Sequence, residues 1–184
     1  GMTGAVKNIL ITGLPGCGKT TLIMKLAVEL REFGPGGFFT EEIREQGVRK
    51  GFQLASLDAT ETGTLAHVDI RGPYRVGRYG VDLGAFERFL EKLRLPGPSP
   101  RLVMIDEIGK MECLSSQFRD LVTSLLDGPA PVVATIALKA GGFIDAVKRR
   151  KDVLLVEVNE RNREMERDEV AVRIRALLPS GSGD

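Results

Sequence analysis

The feature that most constrains this chain is a glycine-rich loop set between an apolar run and a segment with helical spacing. Residues 13–20 read GLPGCGKT and match the phosphate-binding pattern GxxxxGK[ST] in full. The apolar residues 9–12 precede the loop, and Leu22, Leu26 and Leu30 follow it at helical spacing. Glycines let successive backbone N–H groups curl around phosphate oxygens, and the following helix N-terminus favours anions. The sequence therefore predicts a strand–loop–helix unit that holds the phosphates of a nucleotide.

The residue types within this loop have separate chemical tasks. Lys19 is predicted to reach the β- and γ-phosphates, and the Thr20 hydroxyl is predicted to ligate Mg²⁺. Cys17 has two interpretations: a small, tolerated loop residue, which we favour, or an oxidation-sensitive thiolate stabilised by the helix N-terminus. The complete set of predicted phosphate-binding residues is Gly13, Leu14, Pro15, Gly16, Cys17, Gly18, Lys19, Thr20 and Thr21.

A second motif is an apolar strand that ends in two adjacent carboxylates, in the sequence LVMIDE at residues 102–107. Asp106, at the strand tip, is expected to hold Mg²⁺ through its water shell. Glu107 points the other way and is expected to orient or deprotonate the attacking water, so that Glu107 and Lys19 form the predicted catalytic pair. The alternative is a strand that simply stops at a solvated acidic turn, which the complete phosphate loop disfavours. Residues 106–109 also fit DxxG, but the chain contains no NKxD motif, so a GTPase switch is not expected.

Three further positions carry weaker signals. Thr135 closes an apolar strand, where it either hydrogen-bonds the γ-phosphate or the water, or reflects strand propensity alone. His67 is expected to be a surface or strand residue without a ligand role. Arg149 and Arg150 form either a short lid of the kind that kinases use or, more commonly, a solvated basic turn.

Composition sets limits on the class of protein. The 184 residues are 42% hydrophobic and carry a net charge of +1, which is typical of a globular protein and argues against nucleic-acid binding through bulk charge. No apolar run is long enough for a membrane span or a signal peptide. Cys17 and Cys113 form no CxxC pair, so we expect a reduced protein in the cytoplasm. We expect one domain over residues 2–179, with Gly1 as a tag remnant and residues 180–184 as a disordered tail.

Strand and helix patterns alternate along the chain, which predicts an α/β fold with a mainly parallel sheet covered on both faces. An antiparallel hairpin, turning near Gln46 and Gly47, is expected at one edge of this sheet. Residues 58–80 are expected to be irregular apart from one short strand. The predicted strands are residues 6–12, 38–45, 48–57, 65–68, 101–106, 131–136 and 152–158. The predicted helices are residues 20–33, 82–95, capped by Asp82 and ended by residues 96–98, then 115–126 and 159–178, and residues 143–150 form a short amphipathic stretch.

With these motifs in hand, the chain resembles the small thermophilic-type nucleoside-triphosphatases, also described in vertebrates as cancer-related nucleoside-triphosphatases. The stretches that carry the resemblance are GLPGCGKTTL, GGFFTEEIRE, RKGFQLASLD, RVGRYGVDLGAFE, IDEIGKME and NERNR, in this order along nearly the whole chain.

The resemblance implies a RecA-like, three-layer core in which one strand separates the strand of Asp106 from the strand of the phosphate loop. It implies hydrolysis of several ribonucleoside triphosphates with little base preference, with Asp106 on the metal side and Glu107 as the catalytic carboxylate. It also marks four residues of the hairpin whose role cannot be derived from their chemistry: Thr40, Glu41, Glu42 and Arg44. Arg161 and Asn162 follow the last strand, in the segment that runs past the nucleotide base in such proteins.

Three functions fit these observations. The first is a stand-alone, Mg²⁺-dependent nucleoside-triphosphatase, which Glu107 favours. The second is a P-loop kinase acting on a nucleotide or small molecule. The third is a nucleotide-gated switch that acts with nucleic acid or a protein. Arg44, Arg149 and Arg161 are the candidates for an arginine finger, none of them clear, so we expect slow basal turnover of about 10⁻³ to 10⁻² per second. A basal rate above about 10 per second would exclude the switch.

Overall fold

The computed structural model describes residues 6–95 and 100–179. Three expectations fall outside these residues: the tag remnant at Gly1, the helix end at residues 96–98 and the tail at residues 180–184. Within the described part of the chain, strands and helices alternate as the sequence predicts except over residues 36–81, where five strands follow one another. The strands are β1 (Asn8–Thr12), β2 (Gly36–Glu45), β3 (Val48–Ser56), β4 (Thr62–His67), β5 (Arg75–Val76), β6 (Tyr79–Val81), β7 (Val103–Ile108), β8 (Val132–Ile136) and β9 (Val153–Glu157). The helices are α1 (Lys19–Glu29), α2 (Leu83–Leu93), α3 (Ser116–Asp127), α4 (Gly142–Lys148) and α5 (Arg163–Leu177).

The described strands form one sheet in the order β5-β6-β4-β3-β2-β7-β8-β1-β9. Strands β2, β7, β8, β1 and β9 are parallel, and β8 separates β1 from β7. This is the arrangement that the family resemblance implies. The carboxyl ends of parallel strands meet at one edge of the sheet, so the loop after β1 and the end of β7 face the same crevice.

The predicted hairpin is confirmed, but it is the beginning of a longer structure than expected. Its turn places Gln46 at φ 52° and Gly47 at φ 77°, the backbone that a two-residue hairpin turn requires. Strand β3 pairs onward with β4, then β6, then β5, all antiparallel. We call these four strands the antiparallel extension. The expectation of an irregular segment missed β5 and β6 because they are two and three residues long, too short for a periodic pattern to show.

Two hydrophobic layers cover the sheet. On one face α2, α3 and α4 pack over Phe38, whose ring meets those of Phe86, Phe89 and Phe118 edge-on at 5.8–6.1 Å between centroids. On the other face α1 and α5 pack together, with fully buried side chains that include Leu26. Parallel strands read as continuous apolar runs because both of their faces are covered in this way.

Helix ends follow from local chemistry. Asp82 caps α2, as predicted, by accepting a hydrogen bond from the backbone N–H of Ala85 at 2.9 Å. Helix α5 begins at Arg163 rather than at residue 159. The four residues before it form a turn in which Asn159 Oδ1 accepts from the backbone N–H of Arg161 and Asn162. Side-chain to backbone bonds of this kind compete with the helix. No described helix combines the length and apolarity needed to cross a membrane.

Candidate functional site

The phosphate loop lies between β1 and α1, as predicted. Gly16 and Gly18 adopt φ of 81° and 96°, and Gly18 is the residue that caps α1. A Cβ at Gly13 would lie 2.5 Å from the carbonyl oxygen of Val158 and 2.8 Å from Cys17 Sγ. Glycine is thus needed at each of these positions, by backbone conformation or by lack of space. The loop leaves its N–H groups at the N-terminus of α1, where an anion is favoured.

Lys19 extends back across this loop. Its Nζ donates to the carbonyl oxygen of Gly13 at 2.9 Å and lies 3.5 Å from Glu107 Oε2. The ammonium therefore spans the space between the loop and the acidic end of β7. Thr20 lines the cavity that lies between the loop and this end of β7, whereas Thr21 is exposed on the first turn of α1. Cys17 is buried beneath the loop, and both it and Cys113 are free thiols.

Asp106 lies within β7 rather than at its tip, because the strand runs on to Ile108. Its pairing with β8 shifts register between Ile105 and Ile108, and the peptide bond from Asp106 to Glu107 is cis. The Asp106 side chain is 1% exposed. Burial raises its pKa to about 6, although the hydrogen bond from Thr135, the nearby hydroxyl of Thr20 and the charge of Lys19 oppose the shift.

Thr135 has a different partner from the one expected. Its hydroxyl donates to Asp106 Oδ1 at 2.6 Å, and the residue is fully buried in β8. Neither of the two alternatives considered for Thr135 included this bond to the neighbouring strand. Thr135 orients the carboxylate of Asp106.

The donor set beside the loop suits a hard divalent cation. Asp106 Oδ2 is buried and has no hydrogen-bond partner among the described residues. A buried carboxylate oxygen without a partner is costly unless a cation or water satisfies it. Thr20 supplies a hydroxyl close enough to influence the same carboxylate. Oxygen ligands of this kind are those that Mg²⁺ prefers, so these residues fit the predicted metal.

A third carboxylate, which the sequence reasoning did not single out, lies beside these two. Glu112 sits in a single helical turn after β7, is 5% exposed and lines the same cavity. Burial raises its pKa well above the usual range, and the charges of Glu107 and Asp106 add to the rise. A Cβ at Gly109 would lie 2.6 Å from Glu107 Oε1 and 3.1 Å from Glu112 Oε1. The only sequence feature that could have indicated Glu112 is its place in the segment DEIGKME.

The cavity that contains these groups has a volume of about 700 Å³ and reaches from the phosphate loop to the antiparallel extension. Thr40 lines it, which gives one residue of the marked hairpin a place in the site. Glu42 lies 2.7 Å from Arg44 and 3.4 Å from Arg49, so it forms an ion-pair cluster on the hairpin. Glu41, which lies between Thr40 and Glu42 in the sequence, is exposed.

A second groove, of about 600 Å³, lies on the other side of the phosphate loop. Residues 14–17 form one wall, and residues 157–160, which follow β9, form the other. Arg161 and Asn162 come directly after this wall but do not line the groove.

One arginine that the sequence analysis did not name contacts the backbone of the phosphate loop. Arg163 Nη1 donates to the carbonyl oxygen of Cys17 at 3.2 Å, and a Cβ at Gly18 would lie 2.7 Å from this guanidinium. Arg149 follows the C-terminal end of α4. Arg150 contacts Asp127 and Asp152, the latter beside the start of β9. Helix α4 leads away from the carboxyl edge of the sheet, so this basic pair is a turn at the opposite edge and not a lid. His67 closes β4, as expected for a strand residue.

The geometry above defines a class of protein. A strand–glycine loop–helix unit faces a buried aspartate and a glutamate on a strand two places away, at the carboxyl edge of a parallel sheet. This is a P-loop nucleotide-binding fold of the α/β type.

Comparison with known proteins agrees with this class and narrows it. The family model described as NTPase matches residues 8–171. Nucleoside-triphosphatase THEP1 of Thermotoga sp. (strain RQ2) is 48% identical over 157 residues, which cover 85% of this chain and 88% of that protein. The human cancer-related nucleoside-triphosphatase is 39% identical, over 85% of this chain and 90% of the relative. The chain therefore belongs to the NTPase family.

Solved structures show the same fold. The crystal structure of THEP1 from the hyperthermophile Aquifex aeolicus superposes with a TM-score of 0.78 at 34% identity and covers 89% of this chain and 96% of that one. The solution structure of a human cancer-related nucleoside triphosphatase also gives a TM-score of 0.78, at 35% identity, over 92% and 98% of the two chains.

Proposed function

We propose that this chain hydrolyses the terminal phosphate of nucleoside triphosphates in a Mg²⁺-dependent reaction, with little base preference and slow turnover. The observation that carries the proposal is the 3.5 Å approach of Lys19 Nζ to Glu107 Oε2 at the mouth of the phosphate loop. The ion pair brings together Lys19, which would bind the phosphates, and Glu107, the expected catalytic carboxylate, so a terminal phosphate held by Lys19 would lie beside Glu107. The names of the relatives, nucleoside-triphosphatases in both bacteria and humans, support the same reaction class.

Nucleotide binding would rearrange the contacts of Lys19. The backbone N–H groups of the loop and the N-terminus of α1 receive the phosphates. Lys19 then exchanges the carbonyl oxygen of Gly13 and the carboxylate of Glu107 for the β- and γ-phosphate oxygens. Glu107, whose side chain is 30% exposed, is left beside the terminal phosphate and accessible to water. It can orient a water molecule for in-line attack and accept its proton.

Asp106 and Thr20 are the residues that would hold Mg²⁺, through Oδ2 of the former and the hydroxyl of the latter. The ion would neutralise charge on the β- and γ-phosphate oxygens. Thr135 keeps Oδ1 of Asp106 occupied at 2.6 Å, so that Oδ2 is the oxygen presented to the site. The chain thus contributes a buried carboxylate in a fixed orientation. A nearby cation favours the ionised form of this carboxylate.

Two observations support low base preference and slow turnover. The groove that would receive the base is lined by residues 14–17 and 157–160, and the sequence has no guanine-reading NKxD motif. The expectation of slow turnover rests on the arginines. Among the described residues, Arg49 is the arginine that lines the catalytic cavity. Its guanidinium is held by Tyr79 and Glu42 at the end of the cavity remote from the phosphate loop, so it is not positioned to stabilise charge on the terminal phosphate. P-loop proteins without a supplied arginine turn over at about 10⁻³ to 10⁻² per second.

The test is phosphate release from ATP, GTP, CTP and UTP, with Mg²⁺ and with no acceptor added, by the wild type and by Glu107→Gln. We expect similar release from all four nucleotides and a loss of at least about 100-fold in the variant, with nucleotide binding retained. Glu91→Gln, at an exposed position of α2, is the matched control and should behave as the wild type. Full activity in Glu107→Gln would refute the assignment, and strong stimulation by RNA or DNA would favour the switch.

A further inference from the structure

The cavity beside Glu107 extends well beyond the space that a terminal phosphate requires. Its volume of about 700 Å³ lies in the range of sites that enclose a small organic molecule. The end remote from the phosphate loop is lined by Phe52, Leu65, Val76 and Tyr79 of the antiparallel extension. Phe52, Leu65 and Val76 are apolar, and the Tyr79 hydroxyl is held by Arg49 and Arg78, so phosphate chemistry does not account for this part of the site. We call it the distal half of the cavity.

Aromatic rings form a fixed wall in the distal half. The rings of Phe52 and Tyr79 meet edge-on with centroids 5.4 Å apart. The guanidinium of Arg49 lies 5.4 Å and 5.8 Å from the two ring centroids, and its Nε donates to the Tyr79 hydroxyl at 2.9 Å. Arg78 donates to the same hydroxyl at 3.1 Å. These contacts hold the rings in place before any ligand arrives, which reduces the entropy cost of binding against them.

Positive side chains accompany this wall. Arg49, Lys110 and Lys139 all line the cavity. The ion pairs among the described residues include neither lysine. Arg49 has Glu42 at 3.4 Å, but Glu42 lies closer to Arg44, at 2.7 Å. The carboxylates of Asp106, Glu107 and Glu112 line the same cavity, but neither lysine lies within 4 Å of a carboxylate among the described residues. Both ammonium groups are therefore available to an anionic group of a ligand.

We propose that the distal half is a second ligand site, which binds a small molecule with a planar apolar ring and an anionic group. The ring packs against Phe52 and Tyr79, and the anion faces Arg49, Lys110 and Lys139. This site is separate from the groove between residues 14–17 and 157–160, so a nucleotide on the phosphate loop and the second ligand bind together. The ligand shares its cavity with Glu107 and therefore lies on the terminal-phosphate side of the nucleotide.

The test uses anilinonaphthalene sulfonate, a planar aromatic anion that becomes fluorescent in apolar sites, with Mg²⁺ and saturating ADP present. We expect one site per chain that persists with ADP bound. Phe52→Ala, and separately the double variant Lys110→Gln and Lys139→Gln, should each raise the Kd of the probe at least about fivefold. The second variant changes only cavity-lining lysines that are exposed, so it tests the proposal even if Phe52→Ala does not fold.

Matched controls separate the site from general binding. Tyr74→Ala removes an aromatic ring that is 48% exposed and lies outside the cavity. The double variant Lys25→Gln and Lys151→Gln makes the same charge change at exposed positions elsewhere. Both should bind the probe as the wild type does. Glu107→Gln should also keep probe binding, so a failed hydrolase assay and a failed second site remain distinguishable. Displacement of the probe by ADP, or unchanged Kd in both cavity variants, would overturn the proposal.

Discussion

The buried carboxylate of Asp106 should make the metal-free protein less stable at neutral pH than in mild acid. Its pKa is raised from 3.8 to about 6 by burial, its largest cause. In the unfolded chain the group ionises near pH 4, whereas in the folded chain it stays protonated until about pH 6. The folded state therefore binds the extra proton, and its free energy of unfolding falls as the pH rises between these values. Replacement of Asp106 by asparagine removes this dependence.

The size of the effect follows from the shift. A difference of about two pKa units corresponds to about 3 kcal/mol of folding free energy once the pH exceeds both pKa values. At about pH 4.5 only about 1 kcal/mol of this cost is present, because the cost accumulates as the pH rises from the unfolded pKa to the folded pKa and pH 4.5 is near the start of that interval. Asparagine still accepts the hydroxyl of Thr135, but its new amide N–H groups lack a partner. That cost does not depend on pH and cancels when two pH values are compared.

The assay is urea unfolding of the wild type and Asp106→Asn, in the presence of a metal chelator, near pH 8 and about pH 4.5. The stability of the variant relative to the wild type should be greater at the higher pH by about 2 kcal/mol. Asp120→Asn, at an exposed position of α3, is the control and should show no such difference. A variant whose relative stability is the same at both pH values would show that Asp106 is not held in a desolvated site.

Two further changes test how the site is positioned. Thr135→Val removes the hydroxyl that donates to Asp106 at 2.6 Å, so the Mg²⁺ concentration for half-maximal phosphate release should rise about tenfold or more. The exposed Thr64→Val serves as its control, and an unchanged Mg²⁺ titration would remove the positioning role. Arg163→Gln loses the hydrogen bond to the loop backbone, so a fluorescent ADP analogue should bind about three- to tenfold more weakly. Arg173→Gln, farther along α5, should bind the analogue normally, and equal affinities in the two variants would contradict the prediction.

The sequence alone determined the features that depend on neighbours in the chain. The phosphate loop is a continuous motif, and a strand and a helix flank it, so residues 9–30 alone predict its presence and type, although Val158 and Arg163 contact it from the other end of the chain. The hairpin turn at Gln46 and Gly47 and the cap at Asp82 are equally local. In each case the backbone preference and the hydrogen-bond partner lie within a few residues of one another.

Tertiary structure decided which distant side chains meet. Thr135 looked like a candidate for the phosphate because it ends a strand, but the register of β8 against β7 gives its hydroxyl to Asp106 instead. Glu112 and Arg163 carried no motif of their own, and only the turn after β7 and the docking of α5 bring them to the site. Strands β5 and β6 were missed because two or three residues show no period.

The contrast has one physical cause. Periodicity, glycine conformation and helix capping are encoded within a few residues, so a single sequence determined the phosphate loop and the α/β class of this chain. The distal half of the cavity exists only because the antiparallel extension continues the same sheet past β2. That continuation depends on the pairing of β4 with β6 and of β6 with β5, strands of which two are too short for a periodic pattern to predict them.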